Sequence, residues 1–234
     1  MTHHAPLVSR LVLAIGALLC GSASPALAQT PLPSTLARGD VVGLLGWQNV
    51  NKSSVDDDSG NDWHNRGVYG GGTFGWFWTD NHKIELEVGA SNRNRFTTYE
   101  TLFTGNATAY GRSVYSFSTR RVAIGEQYQF FRNEWFHPHV AAGVDLTWQT
   151  TTETSEPVIA FVSLPGSQPG VGVSRLIRPG EVHGPDTSLS VRPFGEVGFK
   201  AYMTPRGFFR GDLRMMARGG IDEVQLRFGF GVDF

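Results

Sequence analysis

Between Asp40 and Phe234 the chain alternates apolar and polar residues with a period of two, and stripes at the helical period are hard to find. The cleanest run is "KIELEVGA", where Ile84, Leu86, Val88 and Ala90 alternate with Lys83, Glu85, Glu87 and Gly89. The pattern predicts eight strands, over 40–48, 67–79, 83–90, 113–131, 135–150, 188–203, 207–218 and 225–234. In the fourth, Val122, Ile124, Tyr128 and Phe130 form an apolar face that Glu126 interrupts. The fifth sets Phe136, Pro138, Val140, Ala142, Val144, Leu146 and Trp148 against a face containing His137, His139 and Asp145. The seventh places Phe209, Leu213, Met215 and Ala217 opposite Arg210, Asp212, Arg214 and Arg218. The last, "QLRFGFGVDF", has Leu226, Phe228, Phe230, Val232 and Phe234 at every second position.

The connections alternate in length. Long polar stretches, 49–66, 92–112 and 151–187, follow the first, third and fifth strands. Tight turns near Asp80–His82, Arg132–Glu134 and Thr204–Arg206 follow the second, fourth and sixth, and a short link, Gly219–Asp222, precedes the last. An even-numbered antiparallel meander, with long connectors at one rim and tight turns at the other, is an up-and-down transmembrane β-barrel. The strands are long enough to cross a hydrocarbon layer, which takes about 9–11 tilted residues.

Alternation alone does not say which face meets which solvent. Two features do. Aromatic residues gather near strand ends, at Trp47, Trp76, Trp78, Trp135, Phe136, Trp148, Phe199, Phe209 and Phe234, as membrane interfaces require. The polar faces also carry both signs: Glu85, Glu87, Asp145, Glu196 and Asp212 against Lys83, Arg192, Lys200, Arg210, Arg214 and Arg227. Such groups can pair across a narrow lumen, which offsets their desolvation. The expectation is an all-β, eight-stranded barrel over 40–234, with its apolar face toward lipid.

Composition refines this picture. Arg10, the apolar run Leu11–Ala23 and the small residues of Ala26-Leu27-Ala28 read as a secretory signal peptide, 1–28, cleaved after Ala28. Residues 29–39 would then be a short periplasmic segment. Cleavage removes Cys20, the sole cysteine, and with it any disulfide or thiolate chemistry. The full chain has 20 basic and 21 acidic residues, a balance that excludes a basic nucleic-acid binder.

Candidate chemistry is sparse. His137 and His139 form a His-x-His pair, but Asp145 lies about 20 Å from His139 along an extended strand and cannot share an ion with them. The expected role of these histidines is hydrogen bonding at the turn rim. Asp56, Asp57, Asp58 and Asp62 crowd the first long connector without the order of an EF-hand, so a solvated acidic loop is expected. His64 with Ser53, Ser54 or Ser59 is a loose nucleophile–base candidate. No catalytic, cofactor or metal residues are assigned, and no enzyme activity is expected.

The terminal "QLRFGFGVDF" resembles the signal by which the bacterial outer-membrane assembly machinery recognises its clients. "HPHVAAGVDLTW" and "VRPFGEVGFKAYM" are similar to strands of small eight-stranded barrels, the family of the outer membrane protein A membrane domain and the opacity-type porin-like proteins. The resemblance implies a bacterial outer-membrane location, contact with outer-membrane lipids and lipopolysaccharide, and recognition by the assembly machinery through Phe234, Val232, Phe230 and Phe228. It implies a non-catalytic structural or surface-interaction role, with an extracellular ligand at the long loops. The alternatives are a narrow channel for ions or small solutes, and a lipid A-modifying enzyme. Deleting Phe234 should reduce the heat-modifiable, folded form in outer-membrane fractions far more than deleting a connector residue, as seen by unboiled gel mobility.

Overall fold

The computed structural model describes residues 38–52, 55, 63–104, 107–130, 135–163 and 172–234. The expected signal peptide, the acidic run Asp56–Asp62 and the turn Arg132–Glu134 lie outside these residues. The strands are β1 (Gly39–Asn51), β2 (Trp63–Phe77), β3 (His82–Ser91), β4 (Asn94–Thr104), β5 (Ala107–Gln129), β6 (Phe136–Ser155), β7 (Val158–Ser163), β8 (Gly172–Arg178), β9 (Glu181–Tyr202), β10 (Gly207–Ala217) and β11 (Ile221–Asp233).

Eight of them close into a ring. Antiparallel pairing runs β3-β2-β1-β11-β10-β9-β6-β5, and a β3–β5 pairing returns the sheet to its start. The seam between first and last strands pairs Asp40 with Asp233 through to Val50 with Glu223. Gly39 and Phe234 finish it reciprocally, with N–H···O bonds of 3.1 and 2.9 Å. Closure leaves the wall no unpaired edge, as a hydrocarbon surround demands.

The wall is inside-out relative to a soluble barrel. Phe230 is 66% exposed and Leu45 70%, whereas Arg227 and Arg210 are fully buried. Trp47 and Trp148 mark the loop rim, while Trp76, Trp78, Trp135 and Phe234 mark the turn rim, all exposed. Phe136, Phe199, Phe209 and Phe230 form a continuous aromatic ladder across neighbouring strands, with centroids 5.4–6.1 Å apart. This is a transmembrane β-barrel of the outer-membrane type.

Two expectations need correction. The stretches 92–112 and 151–187 are largely strand. β4 follows β3 along β5, where Ala90 faces Arg120 and Asn94 faces Phe117. β6 and β9 stay paired out to Ser155 and Glu181, and β7–β8 is a separate hairpin. Their threonine- and tyrosine-rich sequences suit a pleated backbone, but beyond the lipid both faces are polar enough to hide the alternation. Arg218 also does not face the lumen. The register shifts between Met216 and Ala217, and Arg218 falls in an exposed turn beside Gly219, whose φ of +79° favours glycine.

Gly89 shows how inward glycines set the lumen. A Cβ there would lie 2.0 Å from the Tyr69 hydroxyl and 2.4 Å from its Cζ, so the absent side chain is the bed of the buried Tyr69 ring. At outward Gly43 a Cβ would meet nothing within 4 Å. Gly89→Val should cost about 1–3 kcal/mol by displacing Tyr69, measured as a lower urea midpoint for the folded gel band; Gly43→Ala should leave that midpoint unchanged.

Candidate functional site

Interior polar residues arise from the strand period: every second side chain of β1, β3, β9, β10 and β11 points inward, where the wall offers only other side chains. Near the turn rim, Lys83 Nζ donates to Asp40 at 2.9 Å and to Glu85 at 2.7 Å. Lys200 also donates to Asp40, and the Tyr202 hydroxyl donates to Asp233.

At mid-height the pairing becomes a hub. Arg210 reaches Glu85 at 2.6 Å, Glu196 at 2.6 Å and Asp212 at 2.8 Å. Arg227 joins Glu87 at 2.7 Å, Glu196 at 2.6 Å and Asp212 at 2.9 Å. Arg214 donates to Glu196 at 2.8 Å and stands 2.8 Å from Glu87, which also accepts the Tyr69 hydroxyl at 2.5 Å. Nearer the loop rim, Arg121 and Arg192 share Glu223, at 2.7 and 2.9 Å, and approach Asp145 at 3.7 and 3.6 Å. Among the described residues, nine carboxylates and seven lysine or arginine side chains are buried in this column. A cavity of about 10 Å³, lined by Glu85, Glu87, Ala123, Phe194 and Arg214 among others, has room for about one water. The lumen is a filled column.

His139 is placed differently from expectation. It is fully buried, with Nε2 3.6 Å from both Glu196 Oε1 and Asp212 Oδ1. His137, two residues along, is half-buried with its ring 4.8 Å from Tyr202. The reason is depth: His137 lies beside the turn, and each step of two residues moves about 7 Å into the lumen. His139, Glu196 and Asp212 bring one ligand atom each to within 4.8 Å of one another, the separation a metal would need. Both carboxylates are already held by Arg210 and Arg227, so a divalent cation would enter a field of guanidinium groups. The geometry serves ion pairing better than metal binding.

Beyond the loop rim the extended strands build a headpiece with small cores of its own. Val50, Phe96 and Phe117 are buried together with Tyr115 and Val55 against them, and His64 lies 6.0 Å from the rings of Phe96 and Phe117. Ser53, Ser54 and Ser59 are outside the described residues. A second cluster packs Ala109 of β5 on Val158 and Ala160 of β7, with Leu102, Val162 and Ile177 at its edge. Arg178–Glu100 and Arg112–Glu156 ion pairs flank it, the latter at 2.5 Å. Tyr99 pairs with Arg112, Thr101 with Tyr110 and Phe103 with Thr108, so Tyr99, Phe103 and Tyr110 share the opposite, outer face. All three are strongly exposed, Phe103 at 80%.

The eleven charged residues that the sequence assigned to the polar faces are all inside the lumen. Asp233, which the parity of the last strand also turned inward, is with them, and Arg121, Glu223, Asp222 and Asp40 join them unannounced. Their signal was strand parity: Arg121 neighbours the outward Val122, and Glu223 lies two residues before the inward Gln225.

No family model matches the chain, and neither does any curated protein. Among solved structures it is similar to the N-terminal β-barrel domain of OprF from Pseudomonas aeruginosa, at 14% identity and a TM-score of 0.42, covering 84% of this chain and 98% of that one. Neisserial surface protein A matches at 13% identity and a TM-score of 0.46, over 84% and 97%. The outer membrane protein OprG of P. aeruginosa matches at 13% and 0.43, over 85% and 97%. With scores this low, the architecture rests on the strand pairing and wall polarity described above.

Breaking the hub should be costly. Arg227→Met leaves Glu87, Glu196 and Asp212 short of a cation and should destabilise the barrel by about 3–5 kcal/mol, read from urea unfolding in lipid vesicles. Arg112→Ala, at an exposed headpiece pair, should cost under about 1 kcal/mol in the same assay.

Proposed function

We propose that this chain is a non-catalytic barrel of the bacterial outer membrane, which holds a rigid β headpiece at the cell surface for contact with an external ligand or surface. One observation carries the reading: the strands run on past the loop rim, pack two small cores and turn Tyr99, Phe103 and Tyr110 to solvent on one face. Large aromatic rings offer much contact area at little entropic cost, and they dominate recognition surfaces. A channel has less support, because interlocked guanidinium and carboxylate groups occupy the lumen and the cavity among them holds about one water. An enzyme has less support too, since His64 is buried against Phe96 and Phe117.

Cells displaying the protein should adhere to glycan-coated or host-cell surfaces, and a Tyr99→Ser, Phe103→Ser, Tyr110→Ser variant should lose most of that adhesion with its folded gel mobility intact. Purified protein in planar bilayers should pass no steady current. Adhesion untouched by the triple variant, together with a reproducible single-channel current, would reverse the ranking in favour of the channel.

A further inference from the structure

Glu126 breaks an otherwise apolar outer face, and the structure explains how it is tolerated. Among the described residues it is the one acidic side chain on the outside of the eight wall strands between the aromatic rims. It faces Ile84 of β3 on one side and Ala142 of β6 on the other. Its Oε1 lies 2.7 Å from His82 Nδ1, so the side chain leans toward the turn rim, where His82 starts β3. Glu126 has no other hydrogen-bond or ionic partner among the described residues, and its side chain is 54% exposed. An acidic group facing lipid near an interface is costly to keep unless something outside the wall meets it.

Its surroundings indicate what that something is. The His82 ring is flanked by Trp78 at 5.2 Å and Tyr128 at 5.0 Å, with Phe130 a further 5.1 Å beyond Tyr128. Aromatic faces beside a carboxyl group attract an organic ammonium through their ring quadrupoles as well as through charge. Sideways from Glu126 the floor of the wall is low. Ala142 pairs with Gly195, and a Cβ on Gly195 would meet nothing within 4 Å. Val140 and Val197 form the next pair toward the turn rim, and Val144 and Pro193 the next pair away from it. The result is a shallow apolar seat with an acceptor and aromatic rings at its rim end. Because this face belongs to the lipid-facing belt, an occupant must be apolar along the seat and cationic at its end.

We propose that the shelf at Glu126 binds the ammonium headgroup of a phospholipid in the leaflet at the turn rim, with one acyl chain lying over Ala142 and Gly195. The ammonium donates to Glu126 Oε2 while His82 holds Oε1, and Tyr128 and Trp78 shield the pair. The proposal rests on the barrel spanning a bilayer, which insertion of the wild-type chain into vesicles with heat-modifiable mobility tests separately.

The test uses the full chain, delipidated in non-ionic detergent and offered equal amounts of phosphatidylethanolamine and its N-acetylated form with matched acyl chains. Native mass spectrometry should show the ammonium lipid retained about fivefold or more over the acetylated one. Glu126→Gln should bring the two to parity, and His82→Gln should weaken the preference partially. Equal retention by the wild type overturns the proposal, and that comparison needs no variant to fold. A preference that survives in a folded Glu126→Gln barrel also overturns it. So does a dimer that Glu126→Gln dissolves without any lipid preference, which would assign the shelf to a second copy of the chain.

Discussion

A strand crossing hydrocarbon must find every backbone hydrogen bond within its own wall, and the rest of this structure depends on that constraint. It forces β1 onto β11 and leaves Gly39 and Phe234 to close the ring with two reciprocal bonds. An eight-stranded ring is narrow, so inward side chains meet each other rather than water. Only residues that complete one another can be tolerated there. Arg210, Arg214 and Arg227 around Glu196 are such a set, each guanidinium reaching at least two carboxylates. Replacing one member leaves the others charged in a place where water cannot reach, so the cost falls on the partners.

The same wall divides the molecule's tasks by height. Between the rims, sequence is spent on lipid contact outside and on neutralisation inside. Above the loop rim those demands lapse, and the extended strands pack two apolar clusters, one of Val50, Phe96 and Phe117 on the inward side at the head of the lumen and one of Ala109, Val158 and Ala160 under β7. Tyr99, Phe103 and Tyr110 lie there, exposed on one outer face and apart from the ion pairs of the lumen.

Most of the wall was legible in the residue order because lipid imposes a strict period of two. Leu226, Phe230 and Val232 outward, with Gln225, Arg227 and Asp233 inward, follow directly from the parity of "QLRFGFGVDF". What was not legible lay where that pressure is absent. In "TTYETLFT" and "TTETS" both faces leave the membrane, polarity no longer alternates, and strands read as connectors. The position of His139 escaped for another reason: partners on β9 and β10, brought within 3.6 Å, are a property of closure and register that one strand cannot announce. Glu126 was visible as an anomaly, but its meaning required His82, 44 residues away, to arrive beside it.

The cross-lumen pairs have a mechanical consequence. Glu87 on β3 is tied to Arg214 on β10 and Arg227 on β11, while Glu196 on β9 holds the same two arginines. Three of these four struts join strands that are not neighbours in the ring, and the fourth, Glu196–Arg214, ties the adjacent β9 and β10. A pull on β11 is thus shared at once with β3, β9 and β10, and the seam with β1 is not a zipper that can open alone. The barrel is braced like a spoked wheel, and it yields to force as one body rather than strand by strand.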